Sequence, residues 1–428
     1  MNMSTEIANA MMGNTPAITF AEGTCHIIPA FGNMGVLESD EGLLIFDTPI
    51  RPMARGAFRK LREITDKPVK YIIYSHGHID HAYGFGPIIQ EAEEKGWEMP
   101  LVIAHENCVE RFKKYRMLDK YHEWLNQQQF SSLTKGKGKI FPAHDELEPN
   151  IVIKGKEVYK FKFGDYDCEI YHDWGETDDA LWLWIPEKIV IFAGDLMVSH
   201  FPNVGNPYKV QRYPKHWALA MEKMLEKNAE YLLPGHGLLI EGQEKVKKVL
   251  SITAEALNFV HDEVVKRMNE GKWFEQIFHE LIEIYPEHLK NNEHLRPLYG
   301  CFEFAIHAVY REYHGWYNTG NPTDLFPAKS QDVAKEFLKV ANEEKFLEQA
   351  KKNLEEGKLQ LALHLIDVII KGTDPENHEL LLEAYSLKSN ILKKLSDEQT
   401  SFIASNIIAN GATVLKPLIR ELKKKVRK

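Results

Sequence analysis

The chain has 428 residues, 44% hydrophobic and 27% charged, a balance that suits two or three globular domains with a sizeable core. Its formal net charge of −9 argues against nucleic acid as the main partner, because phosphate contacts need a basic footprint. The four cysteines, Cys25, Cys108, Cys168 and Cys301, are scattered with no C-x-x-C pair, which indicates neither a disulfide framework nor a zinc ribbon.

At the N-terminus, MNMSTEIANAMMGN carries an acid and no continuous apolar core, a poor signal peptide. No run approaches about 18 apolar residues, so no membrane span is expected and a reducing cytoplasm is the default. The first half then alternates strands and helices. Strand-like runs are MGVLES, GLLIFDT, VKYIIYS, LVIAH, VYKFKF, CEIYH, LWLWI and KIVIFAGD, with SDEG as a hairpin turn between the first two. RGAFRKLREIT and IIQEAEEKG read as helices, and residues 110–130 as an inserted helical excursion. In LWLWI, alternation puts Trp182 and Trp184 on one face, where sheet packing explains them better than a substrate pocket shared with Trp174 and Trp217. From Gln243 onward the apolar spacing is helical, broken once by YNTGNPTDLFP. In the final stretch Phe346, Ala350, Ala362, Ile366 and Ile369 fall at the spacing of one tetratricopeptide-like helical pair, with Pro375 close behind; an unrelated helical hairpin fits equally.

The chemistry concentrates in YSHGHIDHAYG, residues 74–84. His76 and His78, two apart on an extended segment, point the same way and can grip one ion, while Asp80 and His81 are placed for a second. Three later segments each end or follow an apolar strand with a ligand-type residue: Glu176 in GET, Asp195 in AGD and His236 in PGHG.

The succession SHGHIDH, GET, AGD and PGHG resembles the metallo-β-lactamase-fold hydrolases over about residues 15–245, and EGLLIFDT resembles that family's N-terminal strand ending in Asp47. The implied fold is α/β, a metallo-β-lactamase αββα sandwich over 1–245, followed by an all-α C-terminal region. Carried over, His76 and His78 bind a first zinc, Asp80, His81 and His236 a second, and Asp195 bridges the two. Most of the superfamily has histidine where this chain has Glu176. A carboxylate there is a feature of the alkylsulfatase-like branch, and its charge should make the first ion a weaker Lewis acid that tolerates manganese or iron.

Residues 297–327 are similar to that branch's helical dimerisation domain, which assigns 246–327 to dimerisation and 328–428 to a helical tail standing where the full-length enzymes carry a lipid-carrier-like domain. The resemblance implies a homodimer with two Zn2+ per chain that cleaves a small-molecule alkyl sulfate or related ester with a metal-activated water. Other readings are hydrolysis of a phosphodiester, lactone or thioester, or di-iron redox chemistry, although no flavodoxin-like segment follows residue 245. Asp80 is also expected in catalysis, with Tyr299 and His200 as candidate proton donors. Alkylsulfatases usually hold sulfate with an Asn-Leu-x-x-x-Arg-Gly stretch. Here HFPNVGNPYKVQRYPKHW keeps Asn203 but lacks Arg-Gly at the expected offset, and Arg212 or Lys209 is the substitute.

Overall fold

The computed structural model describes residues 5–130 and 146–427. Two compact units emerge: Met1–His122 with Phe141–Trp316, and Glu123–Ile140 with Tyr317–Lys428.

In the first unit, β1 (Ile18–Phe20), β2 (Cys25–Ile28), β3 (Met34–Glu38), β4 (Leu43–Phe46), β5 (Val69–Ile73), β6 (Leu101–His105) and β7 (Ile151–Ile153) form a 7-stranded sheet in chain order. A 6-stranded sheet holds β8 (Tyr159–Phe163), β9 (Tyr166–His172), β10 (Leu181–Ile185), β11 (Val190–Val198), β12 (Tyr231–His236) and β13 (Ile240–Glu241). The eight expected strands are all present, and the SDEG turn joins β3 and β4 as an antiparallel pair. From β4 to β7 the pairing is parallel, so helices must return the chain; Arg51–Arg62 lies between β4 and β5, and Gly86–Lys95 between β5 and β6. In the second sheet the parallel pair is β11 and β12, linked through helix Pro214–Leu225.

Three apolar layers explain the stacking. Phe46, Ile73, Phe192 and Leu233 fill the space between the sheets. Val36, Ile45, Phe58 and Phe112 join the first sheet to its helices, and Trp182, Trp217, Leu257 and Ile306 join the second sheet to helices Pro214–Leu225, Gln243–Asn269 and Phe302–Tyr313. The LWLWI strand shows why its residues are apolar throughout: Leu181, Leu183 and Ile185 face the other sheet while Trp182 and Trp184 face the helices. The result is the expected αββα sandwich. Trp217 packs in the same layer as Trp182 and Trp184, whereas Trp174 is only partly buried, against Tyr213 and His216.

The second unit is helical. Glu343–Glu355 and Leu359–Gly372 form a hairpin with Ala350, Ala362, Ile366 and Ile369 fully buried, and Pro375 lies in the turn before helix His378–Asp397. Residues 123–130, read from sequence as part of a local excursion, belong to this unit, with the Phe130 ring 6.5 Å from that of Phe402. Contrary to the sequence expectation, one helix among the described residues, Phe402–Val426, is long and apolar enough to cross a membrane by length and composition. It carries Asn406, Asn410 and Pro417, and it is tied to helix His378–Asp397 by Ser396 Oγ donating to the Ser405 carbonyl at 3.0 Å.

Candidate metal centre

The site sits where strands of both sheets end. After β4 the backbone turns sharply at Asp47, which adopts φ 65° and is fully enclosed. Its carboxylate organises the histidine loop: Oδ1 accepts from Ser75 N–H at 2.6 Å, and Oδ2 accepts from Ser75 Oγ at 2.7 Å and from His81 Nδ1 at 2.8 Å. Because Ser75 Oγ gives its hydrogen to Asp47, it accepts from His76 Nδ1 at 2.9 Å. Both rings thereby have Nδ1 engaged and Nε2 turned toward the site, the usual arrangement behind a metal-binding histidine. A one-turn helix, Ile79–Ala82, then carries Asp80 and His81 inward.

A second brace holds the loop from beneath. Gly77 N–H donates to Asp179 Oδ2 at 2.9 Å, and buried Asp179 is gripped by Arg111 Nε at 3.1 Å. Burial alone would raise the Asp179 carboxyl, but the Arg111 charge outweighs it and holds the group below the usual carboxylate range.

Asp195 lies inside β11 rather than at its end, as the sequence suggests, because the strand continues through irregular pairing to Val198. Two glycines make the approach possible. A Cβ on Gly194, at φ 52°, would stand 2.4 Å from Ser75 Cβ, and one on Gly235 would stand 2.1 Å from Asp195 Oδ1. His236 ends β12, and Glu176 projects from the loop between β9 and β10.

All seven expected ligand residues come together in two groups, His76, His78, Glu176 and Asp195, and Asp80, His81 and His236, each with its ligand atoms within 4.8 Å of one another. In the first, His78 Nδ1 is 2.7 Å from His76 Nε2 and 3.1 Å from Glu176 Oε2. In the second, His236 Nε2 is 3.4 Å from Asp80 Oδ2, and His81 Nε2 is 3.8 Å from it. A tetrahedron with metal–ligand bonds of about 2.0–2.1 Å has edges of about 3.3 Å; the spacings of 3.1, 3.4 and 3.8 Å lie near that value, and the 2.7 Å between His76 and His78 is a closer, direct contact. Asp195 faces both groups, with Oδ2 3.9 Å from His76 Nε2 and Oδ1 3.3 Å from His81 Nε2 and 3.4 Å from His236 Nε2. His81 Nε2, Glu176 Oε2 and Asp195 Oδ1 are buried yet have no hydrogen-bond partner, the condition a metal ion would relieve. Burial by itself would lower His81 and His236. The surrounding carboxylates, Asp195 first, outweigh it and pull His81 well up and His236 up to about 10. This donor set seeks cations, and its geometry fits divalent metal.

The remaining expected residues line the same region. His200 Nδ1 donates to the Phe201 carbonyl at 2.8 Å, burial keeps the ring neutral, and the Tyr299 ring lies 6.1 Å away in a stacked orientation. Tyr299 reaches it because Gly300 sits against the backbone of 202–203, where a Cβ would come within 2.5 Å of the Pro202 carbonyl. Burial, then the Glu176 charge, push the Tyr299 phenol well above its ordinary value. Asn203 and Arg212, expected on the substrate, meet Glu176: Asn203 Nδ2 donates to Oε1 at 2.9 Å and Arg212 Nη1 to the same oxygen. Lys209 lies within electrostatic reach of Glu176 and Asp80, and no described residue pairs with its ammonium. Ser75, Arg111 and Asp179 were missed by sequence reasoning, although the acidic pair after GET was a visible signal for Asp179.

Comparison with known proteins agrees with this geometry. Residues 27–236 match the family model of the metallo-beta-lactamase superfamily, and residues 274–417 match the model described as alkyl sulfatase dimerisation. Over residues 27–236 the chain belongs to the metallo-beta-lactamase superfamily, and over 274–417 it carries an alkyl sulfatase dimerisation domain. Members of this superfamily bind divalent metal, as the two ligand groups suggest here. The dimerisation match takes in tail helices as far as 417.

Among relatives of this superfamily member are a linear primary-alkylsulfatase from Pseudomonas sp. (strain ATCC 19151), 25% identical over 71% of this chain and 59% of the relative, and an (R)-specific secondary-alkylsulfatase from Pseudomonas sp., 24% identical over 90% and 60%. The stereoselective inverting sec-alkylsulfatase Pisa1 from Pseudomonas sp. superposes with a TM-score of 0.79 at 22% identity, covering 95% of this chain and 66% of that one, a likeness of fold. The chain spans about 60% of the length of the curated relatives it matches.

Proposed function

We propose that this chain is a dinuclear metal hydrolase acting on alkyl sulfates. The observation that carries the reading is the convergence of seven ligand-type side chains, three of which (His81, Glu176 and Asp195) present a buried donor atom without a partner, in a chain whose relatives are named alkylsulfatases. His76, His78 and Glu176 would hold one zinc ion and Asp80, His81 and His236 the other, with Asp195 between them; manganese or iron would also suit the carboxylate-rich first site. Such ions, when bound, lower the pKa of water from about 15.7 to about 7 and polarise an ester oxygen.

The chain's own groups supply the rest. Tyr299 keeps its phenolic proton at neutral pH, whereas the neutral His200 has its Nδ1 hydrogen committed to a carbonyl, so we assign the proton for the departing alkoxide to Tyr299 and its orientation to His200. With Arg212 turned to Glu176, the ester's anionic oxygens are assigned to Lys209, and Asn203 borders the same space.

The helices of 246–327 together with the tail would form a homodimer. Helix Ser330–Val340 supports this, because Val333, Phe337 and Val340 form an exposed apolar stripe. Four free, buried cysteines suit a reducing compartment such as the cytoplasm. The test is a side-by-side screen of metal-loaded protein on alkyl sulfates, phosphodiesters, lactones and thioesters. Sulfate release is expected to be fastest; turnover of another ester with none of the sulfates would overturn the reading.

A further inference from the structure

A carboxylate in the place of a ligand histidine raises two physical problems. It brings an additional negative charge into a buried cluster that already holds Asp80 and Asp195, and it offers two equivalent oxygens, so its orientation toward an ion is not fixed as an imidazole's would be. The surroundings of Glu176 answer both. Oε1 is taken by Asn203 Nδ2 at 2.9 Å and by Arg212 Nη1, while Oε2 has no donor and faces His78 Nδ1 at 3.1 Å and His76 Nε2 at 3.6 Å. Arg212 Nη1 also donates to the Asn203 carbonyl at 2.6 Å, so guanidinium, amide and carboxylate close on one another. All three residues are buried, with Arg212 only 2% exposed. A guanidinium enclosed to that degree needs a counter-charge, and among the described residues the ion pair it makes is with Glu176.

We propose that Arg212 and Asn203 are positioning residues for the metal centre: they hold Oε1 of Glu176 and leave Oε2 for the ion. The Glu176–Arg212 pair then carries no net charge, the same as the neutral histidine it stands in place of, and one oxygen is presented in one direction. The carboxylate and the arginine are in this sense a single substitution, and Arg212 is withdrawn from sulfate binding. The inference rests on reading Glu176 as a ligand of the first ion.

Metal affinity, measured by chelator competition with Zn2+, tests it independently of turnover. Arg212→Ala should weaken the first ion at least about tenfold, the lower end of what loss of a ligand's outer partner costs. Arg212→Lys keeps the charge without the fork and should fall between, and Asn203→Ala should shift in the same direction by less. The discriminating pair is Glu176→His with and without Arg212→Ala. With imidazole restored, the guanidinium has nothing to neutralise, and removing it should leave affinity unchanged or improve it. If Arg212→Ala leaves Zn2+ affinity unchanged in the Glu176 protein and raises KM alone, Arg212 serves the substrate and the proposal falls. If Glu176→Gln also leaves metal binding unchanged, the ligand reading itself has failed, a separate outcome. Should Arg212→Ala not fold, judged by circular dichroism, the Arg212→Lys and Asn203→Ala affinities decide: no weakening in either overturns the proposal.

Discussion

An ammonium without a counter-ion is costly to desolvate, and Lys209, partly buried, is held beside the cluster of candidate metal-ligand residues with no ion pair among the described residues. Burial, followed by repulsion from Arg212, pulls it down to about 8, with Glu176 and Asp80 opposing. A lysine so placed is charged at neutral pH and loses its charge as pH rises through about 8. If it receives the ester's anion, KM for an alkyl sulfate should be lowest below that value and climb above it. Lys209→Arg should flatten the climb, since guanidinium stays charged. Lys209→Met should raise KM about tenfold or more at neutral pH, the loss expected for a hydrogen bond to a charged group. Steady-state kinetics from pH 6.5 to 9.5 on the three proteins checks this; a flat parent profile together with an unchanged KM in Lys209→Met would remove Lys209 from the site.

At the scale of elements, the metal loop works because strands from two sheets approach more closely than side chains allow. Gly194 is the point of contact between β11 and the Ser75 end of β5. Gly194→Ala combines a left-handed φ with a Cβ 2.4 Å from Ser75, and should cost about 2–4 kcal/mol. Gly96, which ends helix Gly86–Lys95 at φ 66° with nothing within 4 Å, isolates the backbone contribution, so Gly96→Ala should cost about 1 kcal/mol. Chemical denaturation of both variants tests the difference, and equal losses would mean that the strand approach carries no strain. The sequence announced the strands themselves, since runs such as VKYIIY and LWLWI are apolar and bounded by turns. Strands β1, β2, β7 and β13, two to four residues each, are too short to carry such a pattern and were missed. The seven candidate ligand residues were legible because they cluster in a motif or lie in or just after apolar strands. The contacts of Arg212 and Asn203 were not, because they lie in an irregular loop whose path no periodicity records. Nor does a sequence reveal that Asp47 turns at positive φ and so brings its carboxylate onto both Ser75 and His81.

For the whole molecule, the metal-ligand candidates and the exposed apolar stripe fall in different units. Every candidate ligand residue belongs to the unit of 1–122 and 141–316, whereas the apolar stripe of Val333, Phe337 and Val340, 88% exposed at its last residue, belongs to the other. A ligand that binds only the folded state stabilises the unit it binds, by about 2.7 kcal/mol at a hundredfold excess over its dissociation constant. Chelator should therefore lower the melting of the sandwich unit, while dilution should lower that of the helical unit if a second copy covers the stripe. Calorimetry is expected to resolve two transitions, one sensitive to EDTA and the other to protein concentration. Phe337→Glu places a charge in the middle of the stripe and should abolish the concentration dependence without altering the EDTA response. Light scattering gives the same answer by mass, near twice 49.4 kDa for the parent and near 49.4 kDa for Phe337→Glu. A parent that stays at the single-chain mass at micromolar concentration would refute the dimer, and a melt insensitive to EDTA would count against resident metal.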